Sequence, residues 1–297
     1  MSTFSVKKIL VPIDFSANSI KALDYAARLA KLTQAEIMLA HVVETMPVTS
    51  DPFRFSNPEI QSYDSIIMDS STKHLKQVAD EYANKNGIAI NAVSLTGRTH
   101  REIVSFSEKI KSDLIVMGTH GVSGFREFIA GSNTFRVVSD VMCPVLSVQE
   151  KSGSPDFKNI LVPFRDKPHS REKVNYAIEL AKIYGATLHI IGIDTEQSEE
   201  HLRRIQLEAD QIIDIIGKSG LTGKLKVVSA DYRSELVLDY AKEVNADLLV
   251  VMADMDRDSL KEYFIGPFVQ QVVNHSTIPV FSIRPKFNTD TVDLRFY

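Results

Sequence analysis

Asp113-Leu114-Ile115-Val116-Met117 runs directly into Gly118-Thr119-His120-Gly121, and after nine more residues comes Gly131-Ser132. After its first position the opening run is wholly apolar, as a strand buried on both faces is. Glycines follow where backbone must pass close to a neighbour, and an apolar-periodic helix starts at Ser132. Strand, glycine loop and helix N-terminus together present backbone N–H groups and a helix dipole, which favour an anion and above all a phosphate. The stretch therefore predicts an α/β fold with a nucleotide-type site at a strand end.

Working outward, the chain repeats itself. Lys8-Ile9-Leu10-Val11-Pro12-Ile13-Asp14 returns 151 residues later as Asn159-Ile160-Leu161-Val162-Pro163-Phe164-Arg165. Phe128-Ile129-Ala130-Gly131 and Cys143-Pro144-Val145 return about 135 residues later as Phe264-Ile265-Gly266 and Ile278-Pro279-Val280. Two similar halves are expected, residues 1–150 and 157–284, followed by a tail over 285–297. The first is longer by about 16 residues, and the excess falls in Glu44–Ser65, rich in Pro, Ser, Thr and Asp, which reads as an inserted loop. Gln149–Asp156 is a polar Gly/Pro/Ser stretch and reads as the linker.

Within the first half, strand and helix signals alternate. The spacing predicts a strand over Lys8–Ile13, a helix over Ser16–Leu32, a strand over Glu36–Val43 and a helix from Pro58 to Lys85. A strand over Ile88–Ser94, a helix over Thr99–Lys111, a strand over Leu114–Met117, a helix from Ser132 and a strand over Val145–Val148 follow. Continuous apolar strands separated by helices indicate a parallel sheet covered on both faces. Pro12 and Pro163 conflict with a central strand unless each lies at its C-terminal end, where ladder pairing stops and ligands of open α/β sheets bind.

Bulk properties agree with an ordinary globular protein. Of 297 residues, 44% are apolar and 24% charged, and the net charge of −4 gives no reason to expect nucleic acid or an anionic membrane as partner. The single cysteine, Cys143, excludes an intrachain disulfide and suits a reducing compartment. The N-terminus lacks the apolar stretch of a secretory signal, and no run of about 18 apolar residues occurs. A cytoplasmic location is expected.

The order of elements, the Val11-Pro12-Ile13-Asp14 strand end and the spacing Gly118-x2-Gly121-x9-Gly131-Ser132 together resemble the universal stress proteins in a tandem two-domain form. The resemblance covers nearly all of the chain except the insertion and the tail after Ile283. It implies, in each half, a flavodoxin-like, adenine-nucleotide-hydrolase-like domain with five parallel strands in the order 3-2-1-4-5, and ATP binding where the glycine motif is kept. Position by position, it implies that Asp14 accepts a hydrogen bond from the adenine amino group and that Val42 meets the adenine edge with its backbone. Gly118 and Gly121 would let the chain approach ribose and phosphates, and Gly131, Ser132 and Asn133 would hold phosphates from the helix start. Ser132 is equally a good N-cap for its own helix. The resemblance further implies that Val145–Val148 and Val280–Ile283 pair the halves about a pseudo-twofold axis. The chain would then mimic a dimer internally, with a further homodimer open to it.

The second half departs from this pattern. Arg165 replaces Asp14; Gly118 and Gly121 become Ala253 and Asp256, or Met252 and Met255 with a one-residue gap; Gly131 is kept as Gly266, but Ser132 becomes Pro267. Asp254, Asp256 and Asp258 put carboxylates where phosphates would sit, which like charge disfavours. Loss of ATP binding in this half is expected. The three aspartates lack the glycine and distal glutamate of a calcium loop and read as a solvated acidic loop.

Further residues carry two readings each. His120 contacts phosphate or ribose, or is an exposed loop histidine. Arg98 and His100 reach the phosphates, or form a solvated pair capping the next helix. Cys143 is a small buried hydrophobe or a reactive thiol. His41 reads as structural, because no second His or Cys lies at ligand spacing. No Gly-x4-Gly-Lys-Ser/Thr and no Gly-x-Ser-x-Gly occur. A complete binding motif with no evident general base or nucleophile predicts nucleotide occupancy used as a signal, with Mg²⁺ accompanying the phosphates. The rival readings are a slow ATPase or nucleotidyl-transfer enzyme on the same fold, and a nucleotide-independent module recruiting a protein partner through Arg284–Tyr297 or the insertion.

Overall fold

The computed structural model describes residues 4–44, 58–119, 133–165, 172–231, 234–253, 255–256, 264–265 and 267–284. The first half runs β1 (Lys8–Pro12), α1 (Ala17–Thr33), β2 (Glu36–Val43), α2 (Pro58–Asn86), β3 (Ile90–Thr96), α3 (Thr99–Ile110), β4 (Leu114–Thr119), α4 (Asn133–Asp140) and β5 (Val145–Gln149). The second runs β6 (Asn159–Phe164), α5 (Glu172–Tyr184), β7 (Thr187–Asp194), α6 (Glu199–Lys218), β8 (Gly223–Ser229), α7 (Ser234–Glu243) and β9 (Leu248–Met252). It closes with the short strands β10 (Met255–Asp256) and β11 (Phe264–Ile265), then α8 (Pro267–His275) and β12 (Val280–Ile283).

Ten strands form one sheet in the order β3-β2-β1-β4-β5-β12-β9-β6-β7-β8. Each half therefore has the expected order 3-2-1-4-5. All neighbours are parallel except β5 and β12, which join the halves edge to edge with Leu146 opposite Phe281. The central strands are the buried ones: every residue of the wholly apolar β9 and of β5, which includes Ser147 and Gln149, and all but the ends of β1, lie out of solvent. Two core layers result. Residues of α1, α2, α5 and α6 cover one face, and those of α3, α4, α7 and α8 cover the other. Each layer runs through both halves, so one continuous core supports both strand-end regions.

The prolines sit where ladder bonds cease. Ile13 N–H donates to the Ala40 carbonyl on β2 at 2.8 Å, so by alternation the Pro12 nitrogen faces β4. Pairing of β1 with β4 ends at Leu10, and pairing of β6 with β9 ends at Leu161. The missing N–H of each proline thus falls where the neighbouring strand has already diverged.

Several expectations need correction. Gly118 and Thr119 belong to β4 and pair with Val148 and Gln149, so the glycine loop begins later than the sequence suggests. Residues 45–57 lie outside the described residues; α2 starts at Pro58, as the helical spacing predicts, so the excess read over Glu44–Ser65 includes the first two turns of that helix. β3 starts at Ile90 because Gly87, at φ 66°, ends α2 in a left-handed turn. Met255–Asp256 pairs antiparallel with Phe264–Ile265, so the middle of the supposed acidic loop is a ladder; Asp254 and Asp258 lie outside the described residues.

The linker is strapped down. Tyr25 on α1 donates its hydroxyl to the carbonyls of Gly153 (3.2 Å) and Ser154 (3.1 Å), and Arg28 pairs with Asp156. Ser152 is buried against Gln149, and Phe157 packs between the rings of Tyr25 and Tyr184.

Candidate functional site

β1 has β2 on one side and β4 on the other, so the chain's progress through the first half of the sheet reverses at β1. Open α/β sheets bind ligands outside the carboxyl ends of strands at such a switch point. Asp14 leaves β1 there. Its Oδ1 accepts from the Ser16 amide (3.0 Å) and the Ser16 hydroxyl (2.6 Å), and among the described residues Oδ2 accepts nothing. Ser16 is the N-cap of α1, accepting from the Ser19 amide, while the Asp14 amide donates to Ser19 Oγ at 3.3 Å. Partial burial pushes the Asp14 carboxyl up, but the hydrogen bonds from Ser16, with the Ser19 hydroxyl close by, outweigh it and hold the group below the usual carboxylate range. Phe15 between them adopts φ 65°, a left-handed conformation that costs a non-glycine residue about 1–2 kcal/mol.

Next to Asp14 lies the open end of β2. The ladder would send the Val42 amide to the Ile13 carbonyl, but the His41 ring takes that carbonyl through Nδ1 at 2.7 Å. Ile13 O can only accept, so Nδ1 carries the proton, which gives His41 the structural role expected of it. The Val42 N–H and C=O face the end of β1 without a backbone partner among the described residues, while its side chain packs on the core. Phe15 lies 4.7 Å from the His41 ring and 4.5 Å from the His74 ring, closing the same corner.

On the other side stands β4. A Cβ on Gly118 would meet the backbone of Asn18 at 2.6 Å, so this glycine admits the start of α1 onto the sheet. The Thr134 hydroxyl donates to the Gly118 carbonyl at 3.1 Å, tying the start of α4, where Asn133 is exposed, to the end of β4. Two N-termini, of α1 and α4, therefore converge on the switch point. Asn18 Oδ1 and Thr119 Oγ1, both buried beside it, have no hydrogen-bond partner among the described residues. His120, Gly121, Gly131 and Ser132 lie outside the described residues.

Farther along the same edge is the start of α3. Arg98, in the N-cap position, makes no capping bond; instead Glu44, at the end of β2, accepts from the Thr99 amide at 3.1 Å and from its hydroxyl. Those bonds, with help from His100 and Arg98, hold the Glu44 carboxyl below its ordinary range. The expected capping by Arg98 and His100 is thus corrected: Glu44, across 55 residues of sequence, is the cap. Burial and then Arg136 push the His100 pKa down, favouring the uncharged ring. Cys143 is half-buried between the hydroxyls of Ser107 (3.5 Å) and Ser112 (3.6 Å), and burial raises its thiol pKa.

The second half has the same frame with different contents. Arg165 follows β6, half-buried, and Ala253 follows β9 with its amide on the Ile283 carbonyl. At the end of β7 the buried Asp194 accepts from Ser229, from His201 Nδ1 and from the amides of Glu196 and Gln197, hydrogen bonds that hold its carboxyl low. All of these close onto the protein itself. Sequence reasoning missed Asn18, Glu44, Thr134 and the Asp194 cluster; polar residues at element ends were the only signal.

The family model for the universal stress protein family matches the chain twice, over residues 5–149 and 156–284.

The chain belongs to the universal stress protein family.

Among its relatives, a universal stress protein of Methanocaldococcus jannaschii is 36% identical over 144 residues, which are 48% of this chain and 82% of that one. One from Bacillus subtilis is 35% identical over 146 residues, 48% of this chain and 98% of that one. Both are matched over about half of this tandem chain. A universal stress protein of Mycolicibacterium smegmatis is 22% identical over 292 residues, 94% of this chain and 97% of that one. The solved structure of a universal stress protein from Archaeoglobus fulgidus shares the fold, with a TM-score of 0.75 at 22% identity over 93% of this chain and 98% of that chain.

Proposed function

We propose that the first domain of this universal stress protein binds ATP, and that occupancy of that one site is the regulatory signal of a cytoplasmic stress-response protein. The observation that carries the reading is the place of Asp14, just past the end of β1, on the side of the switch point where the N–H and C=O of Val42 lack a backbone partner among the described residues. The Watson–Crick edge of adenine offers an amino donor beside a ring-nitrogen acceptor, which a carbonyl with an adjacent amide complements, and the carboxylate adds a second acceptor. Ribose and phosphates would extend toward β4, where the N-terminus of α4 is anchored by Thr134. Gly121, Gly131, Ser132 and His120 belong to this reading on sequence grounds alone.

Among the described residues no group of three His, Cys, Asp or Glu side chains could hold a metal. Mg²⁺ would accompany the phosphates, keeping much of its own water, and would neutralise their charge. The second domain, with Arg165 at the corresponding strand end, would not take adenine in this way.

Thermal unfolding with and without nucleotide tests the proposal. Mg-ATP at about 100 times its Kd should stabilise the protein by about 2.7 kcal/mol. No shift with ATP, ADP or AMP would contradict it.

A further inference from the structure

The starts of α3 and α4 differ from those of α7 and α8 in charge. The two left-handed residues that end α3 and α7, Lys111 (φ 52°) and Asn245 (φ 51°), set the alignment of these helices. By this alignment His100 corresponds to Ser234 and Arg101 to Glu235, and the repeat pattern of α4 and α8 matches Arg136 with Gln271. In the second domain Ser234 Oγ donates to Gln271 Oε1 at 2.8 Å, a neutral bridge between the two helix starts. In the first domain the bridging positions hold His100 and Arg136, and Arg136 is close enough to depress the histidine's pKa. Arg98 and Arg101 flank the same point.

Three arginines thus gather around a histidine where the repeat places a neutral hydrogen bond and a carboxylate. Of the neighbouring acids, Glu44 caps Thr99 and Glu102 lies over Gly97, while Asp140, one turn after Arg136 on α4, also faces His100. Arg98, Arg101 and Arg136 are exposed and make no ion pair among the described residues. Three arginines against the one carboxylate of Asp140 leave net positive charge at this point, and a multiply charged phosphate is the group their geometry suits. Arg136 lies in the first turn of α4, one turn from the helix start to which phosphates are assigned.

We propose that Arg136, with Arg98 and Arg101 around His100, holds the terminal phosphates of the bound nucleotide, so that the first domain selects nucleoside triphosphate over monophosphate. This rests on the ATP-binding reading and specifies which nucleotide the site prefers.

Isothermal titration with Mg-ATP and with AMP tests it, on the full chain and on two variants. One is Arg136→Gln; the other is His100→Ser with Arg136→Gln, the pair with which the second half folds. The native chain should bind ATP at least tenfold more tightly than AMP. Either variant should weaken ATP by about tenfold or more while AMP changes less than about twofold. Equal affinity of the native chain for both nucleotides, equal losses of both, or no loss of ATP would overturn the proposal while leaving adenine binding intact. Binding of neither nucleotide by the native chain would overturn the ATP-binding reading itself, and this proposal with it.

Discussion

Gly118 and Asn18 are in direct backbone contact: a Cβ added at Gly118 would lie 2.6 Å from both the carbonyl carbon and the oxygen of Asn18, and 2.8 Å from the Ser19 nitrogen. Backbone cannot move aside as a flexible side chain can. Gly118→Ala should therefore cost about 1–3 kcal/mol in denaturant unfolding, and Gly118→Val more. An unchanged unfolding midpoint would show that α1 can lift from β4 freely. Lost nucleotide binding in such a variant would report displacement of α1, so Asp14 is the better residue with which to test the site.

Asp14 supports α1 through Ser16. Its pKa lies below the ordinary value, so its contribution to stability is present above that value and fades as pH falls through the lower folded one. Asp14→Ala should cost up to about 1 kcal/mol at pH 7, and the gap between variant and native chain should close in acid. Unfolding curves across pH check this; a gap that widens on acidification contradicts it.

Tyr25 ties α1 to the linker. Burial, followed by the field of Asp247, pushes its hydroxyl up to about 12. The protonated form is the one that donates to Gly153 and Ser154, so this stabilisation is complete below the unfolded value near 10 and lost as pH rises through about 12. Tyr25→Phe should lower stability by about 0.5–1.5 kcal/mol at neutral pH and lose the alkaline part of the pH dependence. An ultraviolet titration in which Tyr25 ionises as a free tyrosine would argue against the strap.

Phe281 is 1% exposed, faces Leu146 across the central antiparallel pair, and lies 5.8 Å from the Phe4 ring. Phe281→Ala should cost about 3–5 kcal/mol and separate the unfolding of the two halves. A single unshifted transition would mean that the halves are held together elsewhere.

Much of this was legible in the sequence. The runs Lys8–Pro12 and Asn159–Phe164 are apolar without alternation because helices cover both sides of their strands, and the proline in each marks where pairing ends. Local patterns cannot show contacts made at long range. Gly118 reads as ligand clearance, yet its nearest neighbour is a helix 100 residues away in the chain. Glu44 stands in a stretch that reads as an insertion and caps a helix on the next strand's far side. Asp194, Ser229 and His201 look like scattered polar residues until the sheet brings the ends of β7 and β8 together. His100 and Arg136 acquire meaning only when the two halves are laid over each other.

Isothermal titration of Mg-ATP into the native chain, Asp14→Ala and Arg165→Ala puts the asymmetry of the two halves to the test. One nucleotide per chain should bind to the native protein and to Arg165→Ala, and none to Asp14→Ala. Two nucleotides per chain, or binding that survives Asp14→Ala and disappears in Arg165→Ala, would contradict it.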